Sequence, residues 1–199
     1  MISEGSKPQL WLLLGGNGAG KTTFYTLYLA PRGVLFVNAD RIAREISPAN
    51  PEMASYAAAR AADQMRQDLL RDRISFCFET VFSHPSKIDF VGTAKAAGYE
   101  IILVYIHLVS DQLNIARVQQ RVSEGGHAVP PEKIVERIPR TLANVKVAMA
   151  LADSVELLDN SSHANPYRRV VSIRRGTIIT HDPLVPEWAI NLLDGGRTG

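Results

Sequence analysis

The chain has 199 residues, 46% hydrophobic and 21% charged, the composition of a globular domain with a core of its own. Twenty-two Lys and Arg against 20 Asp and Glu leave a net charge of +2, which speaks against a nucleic-acid partner. The single cysteine, Cys77, excludes an internal disulfide, and the apolar runs are too short to cross a bilayer, so a cytoplasmic setting with no membrane partner is expected.

Short apolar runs at 10–14, 34–37, 75–78, 101–106 and 155–158 alternate with helical patterns near 20–30, 52–72, 85–97, 111–123 and 131–151. That alternation predicts a parallel sheet with helices on both faces, and a site at the C-terminal edge of its strands. Residues 167–181 read as a hairpin and 185–193 as a short helix, all within a single domain spanning 1–199.

After the first strand, Gly15-Gly16-Asn17-Gly18-Ala19-Gly20-Lys21-Thr22 fits G-x-x-x-x-G-K-[ST] in full. Its glycines let backbone N–H groups turn inward around phosphate oxygens, and a helix N-terminus lends positive charge. Lys21 is expected to bridge β- and γ-phosphates, with Thr22 on Mg²⁺ and Thr23 beside it. The expected cofactors are therefore ATP or GTP and Mg²⁺.

The second strand closes with Asn38-Ala39-Asp40-Arg41. Asp40 can accept a hydroxyl proton as the oxygen attacks phosphorus, or it can cap a helix over 41–46. The third strand closes with Glu79-Thr80, placing a carboxylate where it can hold Mg²⁺ through water or bind substrate hydroxyls. A salt bridge to a neighbouring Arg is the structural alternative for Glu79. Ser83 and His84 follow, as substrate contacts or as a helix start.

Arginine outnumbers lysine 16 to 6, and the basic surplus lies wholly in residues 117–199. Arg forks onto phosphate oxygens, so the region 117–146 reads as a lid. Arg117 and Arg121 share a helix face, where either can stack on adenine or touch phosphate. Gly125-Gly126-His127-Ala128-Val129-Pro130-Pro131 then makes a flexible break closed by a helix start. The next helix has an apolar stripe, Ile134, Ile138, Leu142, Val145 and Met149, and a polar one, Lys133, Arg137, Arg140 and Asn144. Pro139 is expected to kink or split it. Arg137 and Arg140 are the candidates for neutralising charge on a transferred phosphoryl group. In the tail, Arg168, Arg169, Arg174 and Arg175 alternate with apolar residues and have no evident task.

The position of a guanine-reading N-K-x-D motif is held instead by Leu158-Asp159-Asn160-Ser161, which excludes a GTPase of that type, and no ABC signature is present. The chain resembles the zeta-toxin group of P-loop kinases, and especially its short stand-alone members. The resemblance rests on LLLGGNGAGKTT (12–23), FVNADRIAREISP (36–48), FCFET (76–80), RVSEGGHAVP (121–130), ERIPRTLAN (136–144) and LLDNS (157–161). It implies an α/β P-loop kinase-like fold, a nucleoside triphosphate as donor, Mg²⁺, and a small-molecule hydroxyl as acceptor. For the well-known members that acceptor is UDP-N-acetylglucosamine, and an antitoxin protein blocks the nucleotide site. By position the family's catalytic Asp falls on Asp40 and its strand-end Glu on Glu79. Of its two phosphate-handling arginines, one falls on His127 and the other on Arg137 or Arg140. Two further readings stand beside this one. One is a nucleotide-gated binding protein with slow ATP hydrolysis. The other is a kinase of an antibiotic, a nucleoside or a polynucleotide end.

Overall fold

A computed structural model of the chain describes residues 7–126 and 128–194. Seven strands form one sheet in the order β2-β3-β1-β4-β5-β6-β7. They are β1 (Gln9–Leu14), β2 (Leu35–Val37), β3 (Phe76–Thr80), β4 (Glu100–His107), β5 (Ser154–Asp159), β6 (Arg168–Arg174) and β7 (Thr177–Thr180). The first five are mutually parallel, and β6 and β7 add antiparallel strands beyond β5. The hairpin expected at 167–181 thus continues the main sheet.

Among the described residues seven α-helices accompany them: α1 (Lys21–Phe24), α2 (Ala39–Ile46), α3 (Ser55–Arg71), α4 (Ser86–Ala96), α5 (Asp111–Ser123), α6 (Pro131–Met149) and α7 (Glu187–Leu193). The pattern near 20–30 is not one regular helix. After four α-helical residues it widens into a π-helical turn, Tyr25–Leu29, and tightens into a 3₁₀ turn, Ala30–Arg32. Pro31 enters that last turn, where an N–H is no longer needed.

Alternation along β1 sends Leu10, Leu12 and Leu14 into the larger core, with Phe76, Phe78, Tyr105, Leu157 and the apolar faces of α3, α4, α6 and α7. Leu13 faces the other way, with Cys77, Val104, Ile106 and Leu158, under Phe24, Tyr25 and Leu113. Burial on both faces is why these strands read as bare apolar runs. Cys77 is fully buried, and burial pushes its thiol up, so it is an inert core side chain. None of the helices among the described residues is long and apolar enough to cross a membrane.

The helix starting near residue 40 takes its cap from Asn38, whose side chain accepts from the Arg41 N–H at 2.7 Å. Asp40 is therefore not the cap. It sits one residue inside α2, with its carboxylate left for another task. Pro139 does not split α6, which runs unbroken from Pro131 to Met149. Its position is exposed, so the carbonyl that loses a partner there can turn to water. Fourteen residues earlier, Gly125 and Gly126 end α5.

The parallel strands deliver their C-terminal ends to one edge. β1 runs between β3 and β4, and the strand connections diverge on either side of it. The loop leaving β1 therefore opens at the switch point, where doubly wound sheets bind ligands.

Candidate functional site

The loop after Leu14 is shaped by two left-handed glycines and by three side chains from distant segments. Gly18 has φ +77° and Gly20 φ +92°. A Cβ on Gly18 would stand 2.7 Å from the Asn114 carbonyl, and one on Gly20 2.6 Å from the Asn160 amide nitrogen. Both positions need glycine for conformation and for room. Asn114 of α5, buried, donates to the Asn17 carbonyl at 2.6 Å. Asn160, also buried, donates to the Ala19 carbonyl at 2.9 Å and accepts from the Tyr167 N–H. The Tyr167 hydroxyl donates to the Gly20 carbonyl at 2.8 Å. The carbonyls of Asn17, Ala19 and Gly20 are thereby satisfied from outside the loop.

Lys21 begins α1 and is buried. Its ammonium donates to the Gly15 and Gly16 carbonyls, both at 2.9 Å. Burial lowers its proton affinity, and the Arg121 charge adds to that, while Glu79 and Asp40 oppose it. Thr22 Oγ1 donates to Glu79 Oε2 at 2.8 Å. These two are the expected metal partners, and the register that sets Leu13 beside Glu79 brings them together. Among the described residues no cluster of three His, Cys, Asp or Glu could hold a metal alone. A hydroxyl and a carboxylate beside a phosphate loop suit Mg²⁺, which shares its coordination with phosphate oxygens and waters.

Two hollows meet above the loop. The larger, about 540 Å³, is lined by Gly18, Gly20, Thr22, Thr23, Arg117, Tyr28, Tyr167 and neighbours. The smaller, about 290 Å³, is lined by Asn17, Asn38, Asp40, Thr80, Val129, Arg137 and neighbours. Lys21, Glu79, Gly18 and Arg121 line both and mark their junction. Asp40, exposed at the start of α2, looks into the smaller hollow.

Of the other expected site residues, Gly15, Gly16 and Ala19 take part through backbone carbonyls rather than as lining. Arg140 stands outside both hollows and pairs with Glu136 at 3.0 Å on the exposed face of α6. Arg137, one turn earlier, is the member of that stripe turned into the cleft. Asn144, read on the same stripe, donates to the Phe82 carbonyl at 2.8 Å, and buried Thr141 donates to the Val81 carbonyl. These two bonds hold the β3–α4 loop against α6, with Phe82 at φ +65°. Ser83 follows outside the cleft lining, and α4 starts at Ser86 after Pro85. His127 lies outside the described residues.

Three of the four tail arginines find ion-pair partners among the described residues. Arg168 pairs with Asp159 and Asp182, and Arg169 and Arg174 both pair with Glu156. They tie β6 to β5 and to the segment after β7. Reasoning from sequence missed Asn114, Asn160 and Tyr167. The only signal was the LLDNS block containing Asn160, since nothing local says that these residues touch the loop.

The family model described as zeta toxin matches residues 2–172. An uncharacterised protein of Haemophilus influenzae is 30% identical over 138 residues, covering 66% of this chain and 98% of its own. The crystal structure of AvrRxo1-ORF1:-ORF2 with ATP superposes with a TM-score of 0.73 at 20% identity, over 99% of this chain and 67% of that one. The native form of that complex gives a TM-score of 0.71 at 19% identity, and there the match spans 63% of the other chain. The PezAT chromosomal toxin-antitoxin system of Streptococcus pneumoniae gives 0.66 at 14% identity, over 98% of this chain and 89% of that one.

Proposed function

The chain belongs to the zeta-toxin family, and from that premise we propose that it is a cytoplasmic kinase that moves the γ-phosphoryl group of ATP or GTP onto a hydroxyl of a small molecule. One observation carries the reading. Lys21, Arg121 and Glu79 stand where the two hollows meet, with Thr22 on the larger side and Asp40 on the smaller, and the five come from four separate segments.

In this reading the larger hollow takes the nucleotide. Loop N–H groups and Lys21 hold its phosphates, with Lys21 exchanging two carbonyl partners for phosphate oxygens. Arg117 and Tyr28 border the nucleoside end. Thr22 and Glu79 would hold Mg²⁺, which supplies charge neutralisation to the β- and γ-phosphates when bound. The acceptor enters the smaller hollow. Asp40 takes the hydroxyl proton as the oxygen attacks, while Asn38, Thr80 and Glu79 orient the acceptor. Arg121 and Arg137 meet the charge that spreads over the transferred group. Val129, between α5 and α6, lines the smaller hollow and helps to shield it from water.

A nucleotide sugar such as UDP-N-acetylglucosamine is the first acceptor to test, and an antitoxin-like protein the first partner. Support for both comes from the family and from the toxin-antitoxin system among the structural relatives. Arg168, Arg169 and Arg174 of the tail are already ion-paired within the sheet extension, which weighs against a nucleic-acid role for them. The test is an acceptor screen with γ-labelled ATP and Mg²⁺ that includes UDP-N-acetylglucosamine, other sugars, nucleosides and a polynucleotide 5′-end. Label on one small acceptor supports the kinase. Release of labelled phosphate alone, undiverted by every acceptor, contradicts it.

A further inference from the structure

The two glycines that end α5 are not doing the same thing. Gly125 has φ +85°, and its N–H bonds the Val122 carbonyl at 3.0 Å. Gly126 N–H bonds the Arg121 carbonyl at 2.8 Å. This is a Schellman ending, which needs one left-handed residue, and Gly125 supplies it. Nothing lies within 4 Å of where a Gly125 Cβ would be. The next position is ordinarily free to carry a side chain, and often an apolar one that packs on the residue five back. Here that residue is Arg121, and the position is Gly126.

The reason is steric. A Cβ on Gly126 would stand 2.6 Å from Arg121 Cγ, 3.2 Å from its Cδ and 2.7 Å from its carbonyl oxygen. The Arg121 stem therefore occupies the place where the motif's side chain would lie. It passes over the helix end towards the junction of the two hollows, close enough to Lys21 for its charge to act there. The other end of this helix face is fixed by Asn114 on the Asn17 carbonyl, with Val118 buried between. Since α5 cannot retreat, the room for Arg121 has to come from Gly126.

We infer that Gly126 is a positioning residue: its missing side chain seats Arg121 at the γ-phosphate position. The inference rests on the kinase reading for what Arg121 meets there, and on geometry alone for how it gets there.

The test measures affinity for fluorescent (mant) ATP and mant-ADP, with Mg²⁺, in five proteins: wild type, Gly126→Ala, Arg121→Ala, the double variant and Gly125→Ala. If Arg121 meets the γ-phosphate, Arg121→Ala weakens ATP binding about tenfold while ADP binding changes less than about twofold. Gly126→Ala should reproduce that selective loss, and the double variant should lose no more than either single one. Gly125→Ala strains the helix end without touching the Arg121 stem, so it should lower Tm yet keep the ATP-over-ADP preference. Additive losses in the double variant would overturn the inference, as would equal loss of ATP and ADP in Gly126→Ala. So would ATP preference lost in Gly125→Ala to the same degree. Should Gly126→Ala fold poorly, its Tm decides: the double variant, which lacks the Arg121 stem beyond Cβ, must regain part of the stability that Gly126→Ala loses, and no recovery would overturn the inference. Wild-type protein that binds neither nucleotide refutes the kinase reading itself, a result separate from all of these.

Discussion

Replacing Asn160 with alanine loosens the phosphate loop from behind. Its amide gives one buried hydrogen bond to the Ala19 carbonyl and takes a half-buried one from the Tyr167 N–H. Alanine reaches neither, so both groups lose their partner. The orphaned buried carbonyl costs about 1–3 kcal/mol and the half-buried Tyr167 N–H about 1 kcal/mol, so the expected loss is about 2–4 kcal/mol. For a chain of this size that is a Tm lower by roughly 4–16 °C. ATP affinity should fall too, by about tenfold, because the loop then has to be ordered by its ligand. Asn160→Asp separates the two bonds. It still accepts from Tyr167 but turns an oxygen on the Ala19 carbonyl, so it should be no better than alanine. Tyr167→Phe removes the bond to the Gly20 carbonyl and the hydroxyl's contact with Thr23, and should cost about 1 kcal/mol. Thermal and urea unfolding, with and without Mg-ATP, read these out. An Asn160→Ala protein within about 0.5 kcal/mol of wild type, with wild-type ATP affinity, would refute the idea that distant amides shape the loop.

Two further predictions concern the lid helix and acid stability. Arg137→Ala should lower kcat for transfer by about 100-fold or more, and Arg140→Ala by less than about threefold, because only Arg137 lines the cleft. Steady-state kinetics on both variants decide, and the reverse order would place the wrong arginine at the phosphate. His107 is stacked on Trp188 at 4.3 Å, and burial lowers its pKa to about 4 against the opposing pull of Asp159. The unfolded chain therefore takes up this proton first as pH falls. The stability from neutral His107 is complete above its ordinary pKa near 6.5 and is lost as pH drops towards 4, by up to ~3 kcal/mol. His107→Gln should flatten that part of a urea-unfolding pH profile, and an unchanged slope would contradict it.

What the sequence disclosed follows the range of the interactions. The phosphate loop is a local device of consecutive residues, so Gly15 to Thr22 were legible at once, and the strand before them shares a two-sided burial that reads as a plain apolar run. Asp40 and Glu79 were legible because both close such strands. For Asp40 the sequence left two roles open, base or cap of α2, because Asn38 and Asp40 are both good caps and only backbone geometry separates them. Helical periodicity placed Arg137 and Arg140 on one stripe. The cleft touches only part of that stripe, which depends on where α6 crosses the β3–α4 loop. Asn114, Asn160 and Tyr167 lie 97, 141 and 147 residues from the loop atoms they bind, beyond any local pattern. The basic tail had no evident task in the sequence, because the partners of Arg168, Arg169 and Arg174, namely Glu156, Asp159 and Asp182, come together only within the sheet extension.

The central claim is that Asp40 takes the proton from an acceptor hydroxyl in the smaller hollow. Asp40→Asn keeps the shape and the α2 cap but removes the base. The deciding measurement is phosphoryl transfer from γ-labelled ATP by that variant, with mant-ATP binding followed on the same sample. The account predicts ATP binding within about twofold of wild type and transfer reduced by about 100-fold or more. Transfer at the wild-type rate with ATP bound would contradict it.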